Sequence, residues 1–199
     1  MCSSDLLSHR AADLDKIARI NQGVAVEELG LTEETLLELL KREGACVHTL
    51  NLSKSAVMDI GSLLDYLPNI ESLSLGFTIV NDSNLTAMAH HKNAKQIKDL
   101  SFLLILLESL IEITESMPQL ESLSLHNQPI CYYFHATEAG VITIVKNLKN
   151  LKNLRFNYAQ IRTQEAQRIA EGLPNLTTLD LAHNSIDDQG AIAIRSEEH

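Results

Sequence analysis

The sequence is poor in several residue types that define whole classes of protein. It has no tryptophan, and its aromatic residues are limited to four tyrosines and four phenylalanines. Its three cysteines, Cys2, Cys46 and Cys131, are too few and too scattered for a disulfide framework, which favours a reducing compartment such as the cytoplasm. The longest apolar run, Phe102–Leu107, is far shorter than the roughly 20 residues that cross a bilayer.

Basic residues are also scarce. The chain has 16 lysines and arginines against 26 aspartates and glutamates, a formal net charge of −10. A surface of that sign repels nucleic-acid phosphates and anionic lipids, so we expect neither a nucleic acid nor a membrane as partner. Acidic residues also interrupt the N-terminal segment, which therefore lacks the basic-then-apolar pattern of a signal peptide. With 45% hydrophobic residues in 199, the chain is not disordered and can bury one good-sized core.

One short unit, leucine-x-x-leucine-x-leucine, recurs with variations along the chain. The copies are VHTLNL at 47–52, IESLSL at 70–75, IKDLSF at 97–102, LESLSL at 120–125, LKNLRF at 151–156 and LTTLDL at 176–181. The central leucines of successive copies are 23, 27, 23, 31 and 25 residues apart. Apolar and polar residues alternate within each copy, which is the period of a β-strand with one buried face. The repeats therefore predict six strands.

Between the strand units the apolar spacing changes to that of an amphipathic helix. Ile60, Leu63, Leu64 and Leu67 show this spacing, and similar sets recur in three later repeats. One strand and one helix per repeat predict an α/β solenoid, with a curved parallel sheet on the concave face and helices on the convex face. We expect the leucines of the strand units to lie deep in the core: Leu50, Leu52, Leu73, Leu75, Leu100, Leu123, Leu125, Leu154, Leu179 and Leu181.

The segment LTTLDLAHNSIDDQGAIAI at 176–194 carries the pattern L-x-x-L-x-L-x-x-N-x-I. On these features the chain resembles the leucine-rich repeat proteins, and its repeat lengths resemble their ribonuclease-inhibitor-like subclass. The resemblance implies a domain of about six repeats over 45–199, in which Asn184 hydrogen-bonds turn backbone. The same position in the other repeats is occupied by Ser55, Thr78, Ile105, Gln128 and Ala159. Because Ile105 and Ala159 carry no hydrogen-bonding side chain, we expect other groups to satisfy the backbone there.

Residues 1–44 lie outside the repeats and predict two helices. The apolar face of the first consists of Leu7, Ala11, Leu14 and Ala18. The second begins after Thr32, carries leucines on one side and ends near Gly44. The first strand of a solenoid has an open edge, so we expect this pair to be an N-terminal cap; a separate functional helical module is the alternative.

The polar residues that alternate with the buried leucines are predicted to share the concave face of the sheet. The candidate partner-binding residues on it are Ser72, Ser74, Asp99, Ser101, Ser122, Ser124, His126, Arg155, Asn157 and Asp180. The family resemblance implies that such a face binds a partner. A solvated strand face, chosen for its small side chains, is the alternative.

No group of residues in the sequence predicts catalysis, a metal site or a cofactor. Ser122, Ser124 and His126 share a face, with Asp99 one strand away, but no nucleophile elbow or oxyanion site accompanies them. Cys131 and nearby histidines fall short of a zinc signature. The eight glycines are dispersed, so no phosphate-binding loop is present in the sequence.

The longest repeat contains the segment HNQPICYYFHATEAG at 126–140. Tyr132, Tyr133 and Phe134 bring three of the eight aromatic residues together there. Clustered aromatic side chains are typical of interface anchors, because they bury a large area at low entropic cost. The alternative is that these rings pack against their own repeat.

These features predict a non-enzymatic scaffold for protein–protein interaction. One alternative of the same fold is a GTPase-activating regulator, for which Arg155 would supply the positive charge. The other is a secreted bacterial effector that holds a host protein: the irregular repeats and the acidic RSEEH end resemble effectors that enter host cells without a cleavable signal peptide. The last repeat is followed by no recognisable cap, so we also expect weak self-association through the C-terminal end; a frayed end and a natural chain that continues beyond this sequence are the alternatives.

Overall fold

A parallel sheet runs through the computed structural model, which describes residues 3–55, 59–76, 78, 80–103, 106–126, 138–188 and 190–192. The strands are β1 Thr49–Asn51, β2 Ser72–Leu75, β3 Asp99–Leu103, β4 Ser122–His126, β5 Asn153–Phe156 and β6 Thr178–Asp180. They form one six-stranded sheet in chain order, from β1 to β6. The central leucine of each strand lies opposite the central leucine of the next, as the repeat alignment predicts.

One helix connects each strand to the next, and two helices precede β1. The helices are α1 Ser3–Asn21, α2 Glu33–Glu43, α3 Ile60–Leu64, α4 Asp82–His90, α5 Leu107–Ser116, α6 Glu138–Asn147 and α7 Thr163–Gly172. Short 3₁₀ turns span Glu27–Leu29, Gly44–Cys46 and Lys92–Gln96. From α3 to α7 each helix packs against its neighbours in the chain. A Cβ atom at Gly172 would lie 2.1 Å from Cγ1 of Val145, so only glycine permits this approach of α7 to α6.

A continuous hydrophobic core lies between the sheet and the helices. The strand leucines from Leu50 to Leu154 are buried, as predicted, together with Phe102 and Phe156. Leu179 and Leu181 of the last repeat are only half-buried, so the prediction of deep burial is wrong for them. The reason is that β6 pairs only with β5 within the described part of the chain, which leaves one side of its leucines uncovered.

Side-chain hydrogen bonds from the turns join consecutive repeats. Asn184 Oδ1 accepts hydrogen bonds from the backbone N–H groups of Ala159 (2.9 Å) and Ile161 (3.1 Å), and Asn184 Nδ2 donates to the carbonyl of Phe156 (2.7 Å). The turn at Ala159 is thus satisfied by the asparagine of the next repeat, which confirms that another group acts there. In the second repeat the hydroxyl of Thr78 donates to the carbonyl of Leu52. Ile105 and Gln128 lie outside the described residues.

The predicted apolar face of α1 is wrong. Ala11 and Ala18 are exposed and Leu14 is 44% exposed, while the side chain of Leu7 lies outside the described part of the chain. The residues of α1 that enter the core are Ile17 and Ile20. They lie on the side of the helix that faces β1, and that contact sets the orientation of α1 because its apolar pattern is weak.

The second helix begins and ends where the sequence predicts. Thr32 is its N-cap, with Thr35 completing a capping box, and Gly44 is its C-cap. Between α1 and α2 the chain approaches the sheet, where Ala25 forms a parallel bridge with Asn51. None of the helices in the described ranges is long and apolar enough to span a membrane.

Candidate interaction surface

The polar side chains of the strands form adjacent rows on the sheet face opposite the leucines, here called the polar face. Strand register places Ser72 beside Asp99 and Asp99 beside Ser122. A second row runs through Asn51, Ser74, Ser101, Ser124, Arg155 and Asp180. The structure thus brings together all the predicted face residues that it describes, except that His126 is placed by its backbone alone, opposite Leu103.

Hydroxyl groups link the first strands of the polar face. The Oγ atoms of Ser53 and Ser74 are 3.0 Å apart, and those of Ser74 and Ser101 are 3.4 Å apart. Towards the other end of the sheet the short serines leave a shallow depression of about 250 Å³. Its polar lining consists of Ser122, Ser124, Asn153, Arg155, Thr178 and Asp180.

The polar face ends in a network centred on Asp180. Asp180 Oδ2 accepts from Arg155 Nε at 3.0 Å and from Asn157 Nδ2 at 3.2 Å, and Asp180 Oδ1 accepts from the backbone N–H of Ala182 at 3.1 Å. The Ala182 N–H, and then Asn157 and Arg155, lower the pKa of the Asp180 carboxyl, while burial opposes them. Asp180 is therefore held as an anion in a fixed position.

A stacked pair of rings lies in the turns that follow β5 and β6. The rings of Tyr158 and His183 are 4.3 Å apart between centroids and inclined by 7°. Both residues have left-handed backbone, with φ of 55° and 60°. Each is four residues after the central leucine of its repeat, as is Lys54, which also has a left-handed φ. The strand repeat did not predict this pair, although aligning the repeats beyond the strands places both residues at the same offset.

A row of alternating charges borders the polar face, one residue before each of the strands β2 to β5, and the strand repeat did not predict it either. Glu71, Lys98, Glu121 and Lys152 succeed one another in neighbouring repeats. Lys98 Nζ lies 3.5 Å from a carboxylate oxygen of Glu71, and Lys152 Nζ lies 2.6 Å from one of Glu121. A depression of about 620 Å³ lies along this row. The hydrogen bond from Lys152, and then its charge, lower the pKa of Glu121.

The described histidines His90 and His91 each contact one acidic residue, and neither belongs to a larger cluster of possible metal ligands among the described residues. Among the residues that the structure describes, no three His, Cys, Asp or Glu side chains are grouped so that they could hold a metal ion. His90 and His91 point to different neighbours: His90 Nε2 is 3.1 Å from Glu112 and His91 Nε2 is 3.3 Å from Asp65.

The predicted aromatic anchor falls outside the part of the chain that the structure describes. This holds for Tyr132, Tyr133 and Phe134. The segment that contains them begins directly after β4, which is paired with β5, the strand of Arg155.

Comparison with known proteins gives one family match and several similar structures. Residues 172–194 match the family described as Leucine Rich repeat. No curated protein has a significantly similar sequence. A chain in the crystal structure of the Rad7 and Elc1 complex in yeast is 14% identical, with 96% of this chain and 60% of that chain covered and a TM-score of 0.48. An internalin (inlF) from Listeria monocytogenes str. 4b F2365 is 22% identical, with 81% and 55% covered and a TM-score of 0.46.

The strand-and-helix repeats, the parallel sheet in chain order and the match over 172–194 define the class of this protein. It has the fold of an α/β leucine-rich repeat solenoid. The chain spans less than two thirds of the length of each of the two structures named above.

Proposed function

We propose that this protein is a non-enzymatic scaffold that binds a partner protein through the polar face. The observation that carries the proposal is the face itself: rows of short polar side chains continue across the sheet, and the helices pack on its opposite side. Short side chains let a partner approach the strands closely, and the fixed charges near β6 give the contact polarity. The residues proposed to bind are Ser72, Ser74, Asp99, Ser101, Ser122, Ser124, His126, Arg155, Asn157 and Asp180.

Substitutions that fill the polar face test this proposal. Ser72→Arg with Ser122→Arg places long side chains on both sides of Asp99 and should abolish capture of the partner in affinity purification with mass spectrometry. The control is Ser83→Arg, a single substitution of the same kind at an exposed position of α4. If the double variant captures the partner as well as the control variant does, binding through the polar face is contradicted.

The segment after β4 is proposed as a second part of the contact. Replacing Tyr132, Tyr133 and Phe134 by serine should abolish capture and leave the thermal unfolding temperature nearly unchanged, because exposed anchors contribute little to the fold. A large loss of thermal stability would instead show that the rings belong to the core, and this part of the proposal would fail.

Regulation of a GTPase is the second candidate function, and the exposure of Arg155 is the observation that favours it. An arginine at a protein surface can stabilise the charge that develops in phosphoryl transfer. Rates of GTP hydrolysis by a panel of small GTPases, measured with the wild type and with Arg155→Ala, decide between the two. If the wild-type protein does not raise the rate of GTP hydrolysis of any GTPase in the panel, regulation of a GTPase is contradicted. The proposal that the protein is a bacterial effector rests on the resemblance alone.

A further inference from the structure

We infer that Arg155, presented by Asp180 and Asn157, is a recognition site for a carboxylate group of the partner protein. This inference rests on the proposed scaffold function and adds the chemistry of the group that the polar face accepts. Arg155 contacts Asp180 through Nε only, at 3.0 Å, and its side chain is 57% exposed. Within the described part of the chain, its two terminal nitrogens have no hydrogen-bond partner.

The geometry of a guanidinium held in this way fits a carboxylate. Its terminal nitrogens present parallel N–H donors that match the two oxygens of an Asp or Glu side chain. A lysine would offer charge without this two-point match. The depression beside Arg155, at about 250 Å³, is lined by the short side chains of Ser122, Ser124 and Thr178, together with Asn153, Asp180 and two leucines, and it leaves room for a short acidic side chain. On the described strand positions of the polar face Arg155 is the one lysine or arginine, so the surface accepts a single anionic group there.

The charge around Arg155 favours a carboxylate over a phosphate. Asp180 lies against the guanidinium, and Asp99 is exposed on the same face two strands away. A phosphate monoester carries about −1.5 to −2 charges at neutral pH and is repelled more strongly by both aspartates than a singly charged carboxylate is.

The site is ordered before any partner arrives. Asp180 is fixed by the N–H of Ala182 and by Asn157, and the backbones of residues 155 and 180 are paired in the sheet. The guanidinium therefore loses little freedom on binding, which removes one of the usual costs of association. The stacked Tyr158 and His183 lie in the turns that follow the same two strands and add aromatic surface at that edge of the sheet.

A displayed library of short random peptides provides the probe. Peptides selected on the wild-type protein should be enriched in Asp and Glu, and fluorescence polarisation then gives their Kd values. We expect Arg155→Gln to raise Kd by about tenfold or more, because a paired charge contact is lost. Arg155→Lys should give an intermediate increase. Changing the Asp or Glu of the peptide to its amide should cause a similar loss on the wild type and little further loss on Arg155→Gln.

Arg42→Gln is the matched control. Arg42 is 52% exposed and pairs with Asp13 at 3.0 Å, but it lies on α2, away from the sheet. Its Kd should stay within about twofold of the wild-type value. Thermal unfolding of each variant verifies that the fold is kept.

Two results would overturn the inference. In the first, selection on the wild-type protein enriches acidic peptides no more than selection on Arg155→Gln does. In the second, Arg155→Gln leaves the Kd values of the selected peptides unchanged. If Ser122→Arg abolishes peptide binding and Arg155→Gln does not change it, the carboxylate site is contradicted, while the proposal that the polar face binds a partner is kept. Binding that neither change affects would contradict both.

Discussion

At the scale of single residues, Asn184 connects two repeats through both ends of its side-chain amide. It accepts from two backbone N–H groups of the preceding repeat and donates to the carbonyl of Phe156 in that repeat and of Leu181 in its own. The preceding repeat has alanine at the same position, so it provides no amide of its own. One side chain thus satisfies the turns of two repeats.

Asn184→Ala should therefore lower the free energy of unfolding by about 2–3 kcal/mol, because several partly buried backbone groups lose their partner at once. Urea denaturation measures the loss. Asn175→Ala is the control. Among the described residues its side chain makes one hydrogen bond, to the carbonyl of Lys149, at an exposed position, so the substitution should cost about 1 kcal/mol or less. Equal losses for the two variants would show that the multiple bonds of Asn184 add nothing.

Single residues of the site were predictable where the repeat alignment reaches them. Arg155 and Asp180 each follow the central leucine of their strand, so alignment alone places them side by side. That Asp180 holds the guanidinium through Nε depends on side-chain rotamers and on the bond from Ala182, which no spacing encodes. The same is true of the stacking of Tyr158 on His183.

At the scale of elements, the strands were predictable because their signal is strong and local. Each alternates apolar and polar residues, and each is repeated at a similar spacing. The burial of the leucines in the last strand was not predictable in this way, because it depends on whether other residues pack against the side of β6 that does not face β5. The orientation of α1 was missed for a related reason: contact with β1, and not its own weak amphipathic pattern, selects the buried side.

Leucine truncations measure this difference between strands. Leu123→Ala in the central β4 should cost about 2–5 kcal/mol of unfolding free energy, because it leaves a cavity in a fully packed core. Leu179→Ala in β6 should cost about 1–2 kcal/mol, since the side chain is already half-exposed. Chemical denaturation of both variants gives the comparison, and a larger loss at Leu179 would contradict the observed burial.

At the scale of the whole molecule, the row from Glu71 to Lys152 is a chain of charges that crosses four repeats. Each pair is exposed, so each adds little by itself. A net charge of −10 nevertheless makes the placement of the lysines important, because they separate acids that would otherwise repel one another.

The stability that Glu121 provides should depend on pH. Its pKa is lowered by Lys152 from an ordinary value of 4.5, so the folded state gains from the carboxylate above that pH and loses the gain as pH falls through the lowered value. Glu121→Gln should therefore melt at a lower temperature than the wild type at neutral pH, and the difference should shrink below pH 4.5. Glu28→Gln, at an exposed position with no ion pair to any described residue, is the control. A difference that stays constant with pH would contradict this role of Glu121.

The strand order also governs how the chain reaches this structure. Within the described residues, every pairing between strands joins segments that are neighbours along the chain, with central leucines 23 to 31 residues apart, so none of these strands needs a distant one to pair with. Closing loops of such similar length costs a similar entropy at each step. Assembly can therefore begin at one repeat and extend to its neighbours. A chain that emerges from the ribosome can add its strands in the order of synthesis, each docking on an edge that is already formed.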